Sequence, residues 1–189
     1  MTDLVIGPDG QPRCFWGGST PEYMAYHDEE WGKPVRGDDA LFERLTLEAF
    51  QSGLSWITIL RKRPAFRAAF DGFSIEKVAQ YTEADATRLM ADPGIVRNRM
   101  KVDAALHNAR VAADLPDGIS ALLWSFAPAA RPRPRTRAEV PALTDESKAL
   151  AKDLKKRGFK FVGPTTAYAM MQATGMVDDH LADCWVPPL

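Results

Sequence analysis

The sequence contains few of the residues and segments that mark a secreted or membrane-bound protein. Its 189 residues include two cysteines and three histidines. The first thirty residues contain prolines, glycines and acidic side chains, with no apolar run long enough for a signal peptide or a membrane span. We therefore expect a cytoplasmic protein that has no membrane partner and no disulfide bond between the cysteines near its two ends.

The sequence also lacks an excess of charge of either sign and any internal repeat. Its net charge is −1, so binding to nucleic acid would have to depend on local basic patches. Hydrophobic residues make up 46% and charged residues 26%, which is ordinary for a soluble globular protein. The length fits one domain, which at this size buries roughly 70% of the surface of the unfolded chain.

What the sequence does contain is helical periodicity. Apolar residues recur at helical spacing, and no run of alternating residues indicates a strand. We predict a single all-α domain over residues 13–186, preceded by a flexible leader at residues 1–12. Prolines and arginines alternate in residues 127–143, which predicts a loop without regular structure inside the domain. Pro64 is expected to end the helix that Ser55 begins.

The central stretch, residues 41–60, carries an acidic residue in apolar company. Glu48 has Leu47, Ala49 and Phe50 as neighbours, and a carboxylate in such surroundings is seldom buried without a partner or a function. Trp56 follows eight residues later, across a predicted bend, where two helices could close a pocket. The alternative is an exposed glutamate and a core tryptophan, and these residues alone favour that alternative.

Both cysteines and two of the three histidines fall into paired positions. Cys14 and His27 are separated by twelve residues, and His180 and Cys184 are four residues apart, on one face of a predicted last helical turn. Two thiolates and two imidazoles form a closed tetrahedral zinc site of the structural kind. The alternative is that each is an ordinary buried residue, but the pairing favours a metal that joins the two ends of the domain.

Two further features could bind nucleic acid. A Pro-Gly turn at residues 93–96 lies between two predicted helices and precedes three basic residues, Arg97, Arg99 and Lys101. Aromatic side chains can stack on bases, and the chain supplies Trp16, Tyr23, Tyr26, Trp31 and Trp56. Each feature alone is weak, because many helical hairpins contain Pro-Gly, most basic residues are solvated and most tryptophans pack in a core. The basic stretch 155–160 is subject to the same alternative.

Six segments of the chain, in order, resemble the DNA-3-methyladenine glycosylase I family. They are CFWG, YMAYHDEEWG, LFERLTLEAFQSGLSWITIL, DPGIVRNRMK, LKKRGFKFVGPTTAYAMMQATG and DDHLADC. The resemblance covers nearly everything between the two cysteines. It implies an all-helical fold of the helix-hairpin-helix glycosylase type and one structural zinc ion per chain, held by Cys14, His27, His180 and Cys184, with no organic cofactor.

The resemblance also implies roles for the other candidate residues. Glu48 becomes the catalytic carboxylate that contacts the base, in a pocket lined by Tyr26 and Trp56 with Trp16 and Trp31 nearby. Residues at the bend between the central helices would face the gap left in the duplex, namely Gln51, Ser52, Gly53 and Leu54. Residues of the turn and the helix after it would bind the DNA backbone, namely Gly94, Val96, Arg97, Arg99 and Lys101. Val96 departs from the wider superfamily, which usually has a second glycine at this place.

The implied activity is hydrolysis of the N-glycosidic bond of 3-methyladenine in double-stranded DNA. The products are the free base and an abasic site, and the enzyme would be a monomer without lyase activity. Two alternatives stay open: a zinc-containing module that senses lesions without cutting, and a zinc hydrolase. The acidic residue at position 48 argues against the first, and four protein ligands with two thiolates argue against the second.

Overall fold

The computed structural model describes residues 3–188 and is mostly helical. Its α-helices within that range are α1 (Pro21–Glu29), α2 (Asp38–Gln51), α3 (Trp56–Ala69), α4 (Ile75–Ala79), α5 (Glu83–Ala91), α6 (Arg99–Ala113), α7 (Gly118–Trp124), α8 (Asp145–Lys156) and α9 (Pro164–Ala173). Two 3-10 turns accompany them, Asp71–Phe73 and Arg137–Glu139. None of the helices in the described residues is long and apolar enough to cross a membrane.

Helix α2 lies at the centre of the molecule. It packs against α3, α6, α7 and α9, and every residue from 41 to 50 is buried. A helix surrounded on all sides must bury whatever it carries, including charged residues. The core beside it is rich in phenylalanine, and Phe50 packs edge-to-face on Phe66 with 4.8 Å between ring centroids. Because α2 is enclosed, Glu48 cannot be the surface residue of the alternative interpretation.

The N-terminal segment forms a β-hairpin where a flexible leader was expected. Strand β1 (Leu4–Ile6) pairs antiparallel with β2 (Pro12–Cys14), so that Leu4 lies opposite Cys14. The Arg13 side chain stabilises this hairpin, because it is 2% exposed and forms ion pairs with both Asp9 and Asp28. Residues 1 and 2 of the predicted leader lie outside the described residues. The hairpin places Cys14 beside the C-terminal segment, where the Leu181 amide donates to its Sγ atom.

Helix α3 continues through Pro64, so the prediction that this proline ends the helix is wrong. Pro64 lacks the N–H that would bond to the preceding turn, which normally favours a break. Buried residues lie on both sides of it, with Ile59 and Leu60 before and Phe66 and Ala69 after. Both halves therefore bury side chains in the same core, and packing outweighs the local cost of the proline.

The C-terminal segment is irregular rather than helical. Residues 178–184 contain turns, including a hydrogen bond from the Cys184 amide to the Leu181 carbonyl, where we expected a helical turn. The loop at residues 127–143, which we call the Arg-Pro loop, explains the difference, because it binds backbone and side-chain groups of this segment. The Ala182 amide donates to the Pro134 carbonyl at 2.8 Å, and Arg133 pairs with Asp178. The loop at 127–143 is thus packed onto the end of the chain.

Candidate active site

A cavity of about 380 Å³ opens between α1, α2, α3 and α9. Helix α1 contributes Tyr23 and Tyr26, and α2 contributes Glu48 and Gln51. Its size falls in the range of small-ligand sites, and its lining combines aromatic rings with a few polar groups, as such sites usually do. The structure therefore brings the predicted base-contacting residues of separate segments to one place, namely Trp16, Tyr26, Trp31, Glu48 and Trp56.

Glu48 is the least compensated charge of the cavity. Its side chain is 6% exposed, and among residues 3–188 no hydrogen bond or ion pair reaches its carboxylate. The nearby Arg44 donates instead to Glu30, which also takes a two-bond ion pair from Arg63. Burial raises the pKa of Glu48 to about 8, although the positive charge of Arg44 opposes the shift. An unpaired buried carboxylate at a cavity is the usual signature of a ligand-binding acid.

Aromatic rings form the walls on either side of this acid. The centroids of Tyr26 and Trp56 are 5.5 Å apart, and those of Trp16 and Trp31 are 5.0 Å apart. Burial and the charge of Glu48 raise the pKa of Tyr26, which keeps its hydroxyl protonated as a donor. The indole N–H of Trp56 is buried without an acceptor among the described residues. Flat rings with two donors and one carboxylate suit a planar, positively charged heterocycle.

The bend after α2 lies at the edge of this cavity. Gln51 lines the cavity, while Ser52, Gly53 and Leu54 are exposed. The Leu54 amide donates to the Gln51 carbonyl at 2.6 Å, and Gly53 has a φ of 80°, a left-handed conformation that favours glycine. The bend therefore projects into solvent beside the opening of the cavity.

Lys101 has a different environment from the one expected of a DNA contact. Its side chain is 8% exposed, and its ammonium group donates to the carbonyls of Phe50 at 2.9 Å and Ser52 at 2.5 Å. These carbonyls belong to the C-terminal end of α2, where a helix has unpaired acceptors and a cation is favourable. Lys101 thus fastens α6 to the bend through two of its N–H groups.

The turn between α5 and α6, residues 92–98, is held against α3. The Gly94 amide donates to the Asp92 carboxylate at 2.7 Å, and Lys62 donates to the Pro93 carbonyl at 2.9 Å. A Cβ on Gly94 would lie 2.8 Å from that of Ala65, so this close approach requires glycine. The Gly94 amide is therefore already occupied, and Val96 beside it is half-buried.

The two arginines after this turn differ in their surroundings. Arg97 is exposed and has no ion pair among the described residues. Arg99 pairs with Glu83 through two hydrogen bonds of 2.8 and 2.6 Å and also with Asp103. A phosphate would have to compete with two carboxylates for Arg99, so Arg97 is the stronger candidate of the pair.

One wall of the cavity was missed by sequence reasoning. It consists of Tyr168 and Gln172 of α9 together with Asp179, which is buried and accepts hydrogen bonds from both. Arg131 of the Arg-Pro loop donates to the same carboxylate at 2.9 Å. The signal available in the sequence was Gln172, a polar residue among apolar neighbours (Met170, Met171 and Ala173), which resembles the setting of Glu48.

The four predicted metal ligands meet beside the cavity. Their donor atoms all lie within 4.8 Å of one another, and all four residues are buried. Cys184 Sγ is 3.6 Å from both His27 Nε2 and His180 Nδ1, and Cys14 Sγ is 3.8 Å from His180 Nδ1. This group could hold a metal ion, and the convergence predicted from spacing is confirmed.

The second nitrogen of each imidazole has its own partner. His27 Nδ1 lies 2.8 Å from the Asp28 carboxylate, and His180 Nε2 lies 3.0 Å from the Trp31 carbonyl. Such outer contacts fix the orientation and tautomer of metal-binding histidines. The Trp31 ring also packs on the His180 ring at 4.7 Å between centroids. The ligand group therefore shares a wall with the aromatic cavity.

Comparison with known proteins agrees with this geometry. The family model for methyladenine glycosylase matches residues 16–187. The DNA-3-methyladenine glycosylase of Haemophilus influenzae is 46% identical over 91% of this chain and 96% of its own length, and DNA-3-methyladenine glycosylase 1 of Escherichia coli is 45% identical over 93% and 97%. A solved 3-methyladenine DNA glycosylase I from Staphylococcus aureus superposes with a TM-score of 0.88 at 39% identity, covering 94% of this chain and 97% of that one. The chain belongs to the methyladenine glycosylase family.

Proposed function

We propose that this protein excises 3-methyladenine from double-stranded DNA, hydrolysing the N-glycosidic bond to give the free base and an abasic site. The observation that carries the proposal is Glu48, a buried carboxylate with no partner in the described residues, at a cavity walled by aromatic rings. Family membership supplies the reaction class and a DNA substrate that carries damaged bases. The enzyme would act in base excision repair of alkylation damage.

The chemistry of the lesion explains why so simple a site suffices. Methylation at the N3 atom gives adenine a positive charge, so the base leaves as a neutral molecule and needs little help from an acid. The enzyme must extrude the nucleotide, recognise the base and stabilise positive charge on the sugar. Extrusion costs a few kcal/mol, less for a damaged base, and stacking on Trp16 and Trp56 offsets it.

Glu48 would provide both recognition and electrostatic stabilisation. Its carboxylate accepts hydrogen bonds from the edge of the base, and its charge favours a cationic lesion over neutral adenine. None of the described residues that line the cavity is a lysine, so no amine is placed there to form a Schiff base with the sugar. We therefore expect a monofunctional enzyme without lyase activity.

The exposed bend and the turn after α5 would form the DNA-contacting surface, in a helix-hairpin-helix arrangement. Residues of the bend would fill the gap that the extruded nucleotide leaves, and Leu54 is the apolar side chain exposed there. Arg97 would contact phosphate beside the turn. The contacts of Lys101 support a positioning role in place of the phosphate contact expected from the sequence.

The pH dependence of excision tests the state of Glu48. The pKa of its carboxyl group in the free enzyme is about 8, and the anion is the form that attracts a cationic base. We expect kcat/KM to rise about tenfold per pH unit below pH 8 and to level off above it. The Glu48→Gln variant should give a flat profile over the same range. A wild-type profile that is flat between pH 6 and 9 would contradict the role of the anion.

The role of Lys101 can be separated from phosphate binding by comparing two substitutions. Lys101→Met removes a charged donor from two carbonyls and should lower the unfolding free energy by about 1.5–3 kcal/mol. It should also lower excision from duplex DNA while free 3-methyladenine binds as before. The matched variant, Arg97→Met, should leave stability unchanged and weaken DNA binding in a salt-dependent way. If both variants behave like Arg97→Met, Lys101 contacts phosphate after all.

The metal held by the four ligands is proposed to be zinc in a structural role. A tetrahedral zinc ion, with Zn–S of about 2.3 Å and Zn–N of about 2.0–2.1 Å, separates sulfur from nitrogen by roughly 3.5 Å. The distances of 3.6 to 3.8 Å between Cys184, Cys14 and the imidazoles fit that geometry. Four protein ligands leave no position for a catalytic water, which argues against a zinc hydrolase. The ion would join the N-terminal hairpin to the C-terminal segment.

Two measurements on the purified protein test the proposed function. Tryptophans line the cavity, so binding of free 3-methyladenine should change the intrinsic fluorescence, and adenine should bind at least tenfold more weakly. A labelled duplex with a single 3-methyladenine should acquire an alkali-sensitive abasic site. Binding of the base without abasic-site formation would indicate a lesion sensor, and the enzyme claim would fail.

A further inference from the structure

A second groove, which we call the lysine groove, lies between α8, the start of α6 and residues 159–164. Its volume is about 1040 Å³, and it is lined by four lysines, Lys148, Lys152, Lys155 and Lys160. Asp103 is the one acidic residue among the described residues of its lining, and Asp103 is already paired with Arg99. In a chain whose net charge is −1, this is a local concentration of positive charge.

Three of the four lysines have no competing acidic partner. Lys152, Lys155 and Lys160 are exposed, and within residues 3–188 none of their ammonium groups forms an ion pair or hydrogen bond. Lys148 pairs with Asp145, a contact that solvent surrounds. These three lysines differ from Arg99, because two carboxylates neutralise the charge of Arg99. Unpaired lysines around a concave surface attract a polyanion and release its counterions.

A buried asparagine fixes the segment that carries Lys160. Asn108 of α6 donates from its amide to the Lys160 carbonyl at 2.9 Å and accepts from the Lys160 amide at 2.8 Å. The next residue, Phe161, has a φ of 59°, a left-handed conformation that is rare for a bulky side chain, and it is 38% exposed. Met100, across the groove, is 69% exposed. Lysines with apolar side chains between them suit a backbone in which charged phosphates alternate with apolar sugar faces.

The lysine groove meets the cavity at two elements. At the bend, Gln51 lines the cavity and Ser52 lines the groove; at the start of α9, Thr165 lines the cavity and Thr166 lines the groove. A strand whose base enters the cavity therefore has this groove directly beside it. Resting on the proposed function, we propose that the lysine groove binds the sugar–phosphate backbone of the substrate duplex next to the lesion, as a contact surface separate from the turn at residues 92–98.

The salt dependence of DNA binding tests this surface. In the variant Lys152→Ala/Lys155→Ala/Lys160→Ala, the slope of log K against log salt should decrease in magnitude by about 2 to 3, since each phosphate contact contributes about 0.9. At 50 mM salt we expect DNA affinity to fall at least tenfold. The substituted residues are exposed, so folding and the binding of free 3-methyladenine should be unchanged.

Two neighbouring lysines provide the matched control. Lys155 lines the groove, whereas Lys156 is exposed on the same helix and does not line it. Lys155→Ala should lower the slope by about one and Lys156→Ala should not. Equal effects of the two, or a wild-type slope in the triple variant, would overturn the proposal. Absence of excision by the wild-type protein would instead refute the proposed function, and the slopes would still report on the groove.

Discussion

Replacing Glu48 by glutamine should lower the single-turnover rate of 3-methyladenine excision at pH 8 or above by about 10²–10³-fold, the range typical when a preorganised electrostatic contact to a transition state is lost. Glutamine has nearly the same shape, so the cavity and its aromatic walls remain. What disappears is the negative charge that attracts the cationic base and stabilises the positively charged sugar. The rate is measured on a duplex with one lesion, with enzyme in excess so that product release does not contribute.

The stability of the same variant shows whether the loss of rate reflects misfolding. The pKa of Glu48 is raised from 4.5 to about 8 in the folded protein, so folding favours the neutral acid. The contribution of Glu48 to the unfolding free energy is therefore greatest below pH 4.5 and is lost as the pH rises through 8. Glu48→Gln should be more stable than the wild type at pH 9, on the order of a few kcal/mol, and the gain should vanish near pH 4.5.

The excision rate and the stability of Glu48→Gln together distinguish the proposed role of Glu48 from two other roles. A carboxylate that merely packs the core would give a more stable variant with unchanged excision. A carboxylate needed for folding would give a less stable variant. We expect Glu48→Gln to have a lower excision rate and, at pH 9, a higher unfolding free energy than the wild type. Both effects are expected where a functional site carries an unfavourable buried charge. An unchanged single-turnover rate would contradict it.

Substitution of a metal ligand has the second large effect. The proposed site would hold one zinc ion per chain, and Cys184→Ser should reduce the zinc content to well below one, because a serine hydroxyl is a poor replacement for a thiolate. The hairpin and the C-terminal segment then lose the bond that joins them. With several kcal/mol lost, the melting temperature should fall by about 10 °C or more, at 2–4 °C per kcal/mol for a chain of this size.

A matched control uses the third histidine. His107 lies outside the ligand group and hydrogen-bonds the Gly158 carbonyl, so His107→Gln should keep a full zinc complement. Molecules of Cys184→Ser that remain folded at low temperature should still excise the base, because Glu48 is not a ligand. A folded, zinc-free protein without any excision would point to a catalytic metal and contradict the structural role.

Residues of unusual type for their surroundings were the part of the site that could be recognised from the sequence. Glu48 was noticed as an acid with apolar neighbours, although those residues alone favoured an exposed glutamate and only the resemblance gave it a role. The four metal ligands were recognised as rare residues in pairs. The all-helical class followed from periodicity, and the resemblance identified the family. None of these inferences required knowledge of long-range contacts, because they depended on residue type, local spacing and matching segments of sequence.

The features that were missed depend on contacts that the local sequence pattern does not show. Strand β1 exists because β2 is beside it, and α3 continues through Pro64 because both halves bury side chains in one core. The contacts of Lys101 with Phe50 and Ser52 join residues about fifty positions apart. A basic residue after a Pro-Gly turn is expected to be solvated, and nothing local indicates that a carbonyl pair will enclose it.

The most direct test of the central claim is the identity of the base that the protein releases from DNA treated with a methylating agent. Such DNA carries 3-methyladenine together with 7-methylguanine, which provides an internal control in the same reaction. The account predicts that 3-methyladenine appears in the soluble fraction as a free base while 7-methylguanine stays in the polymer, and that Glu48→Gln releases far less of it. Release of both bases, or of neither, would contradict the claim that this cavity selects 3-methyladenine for excision.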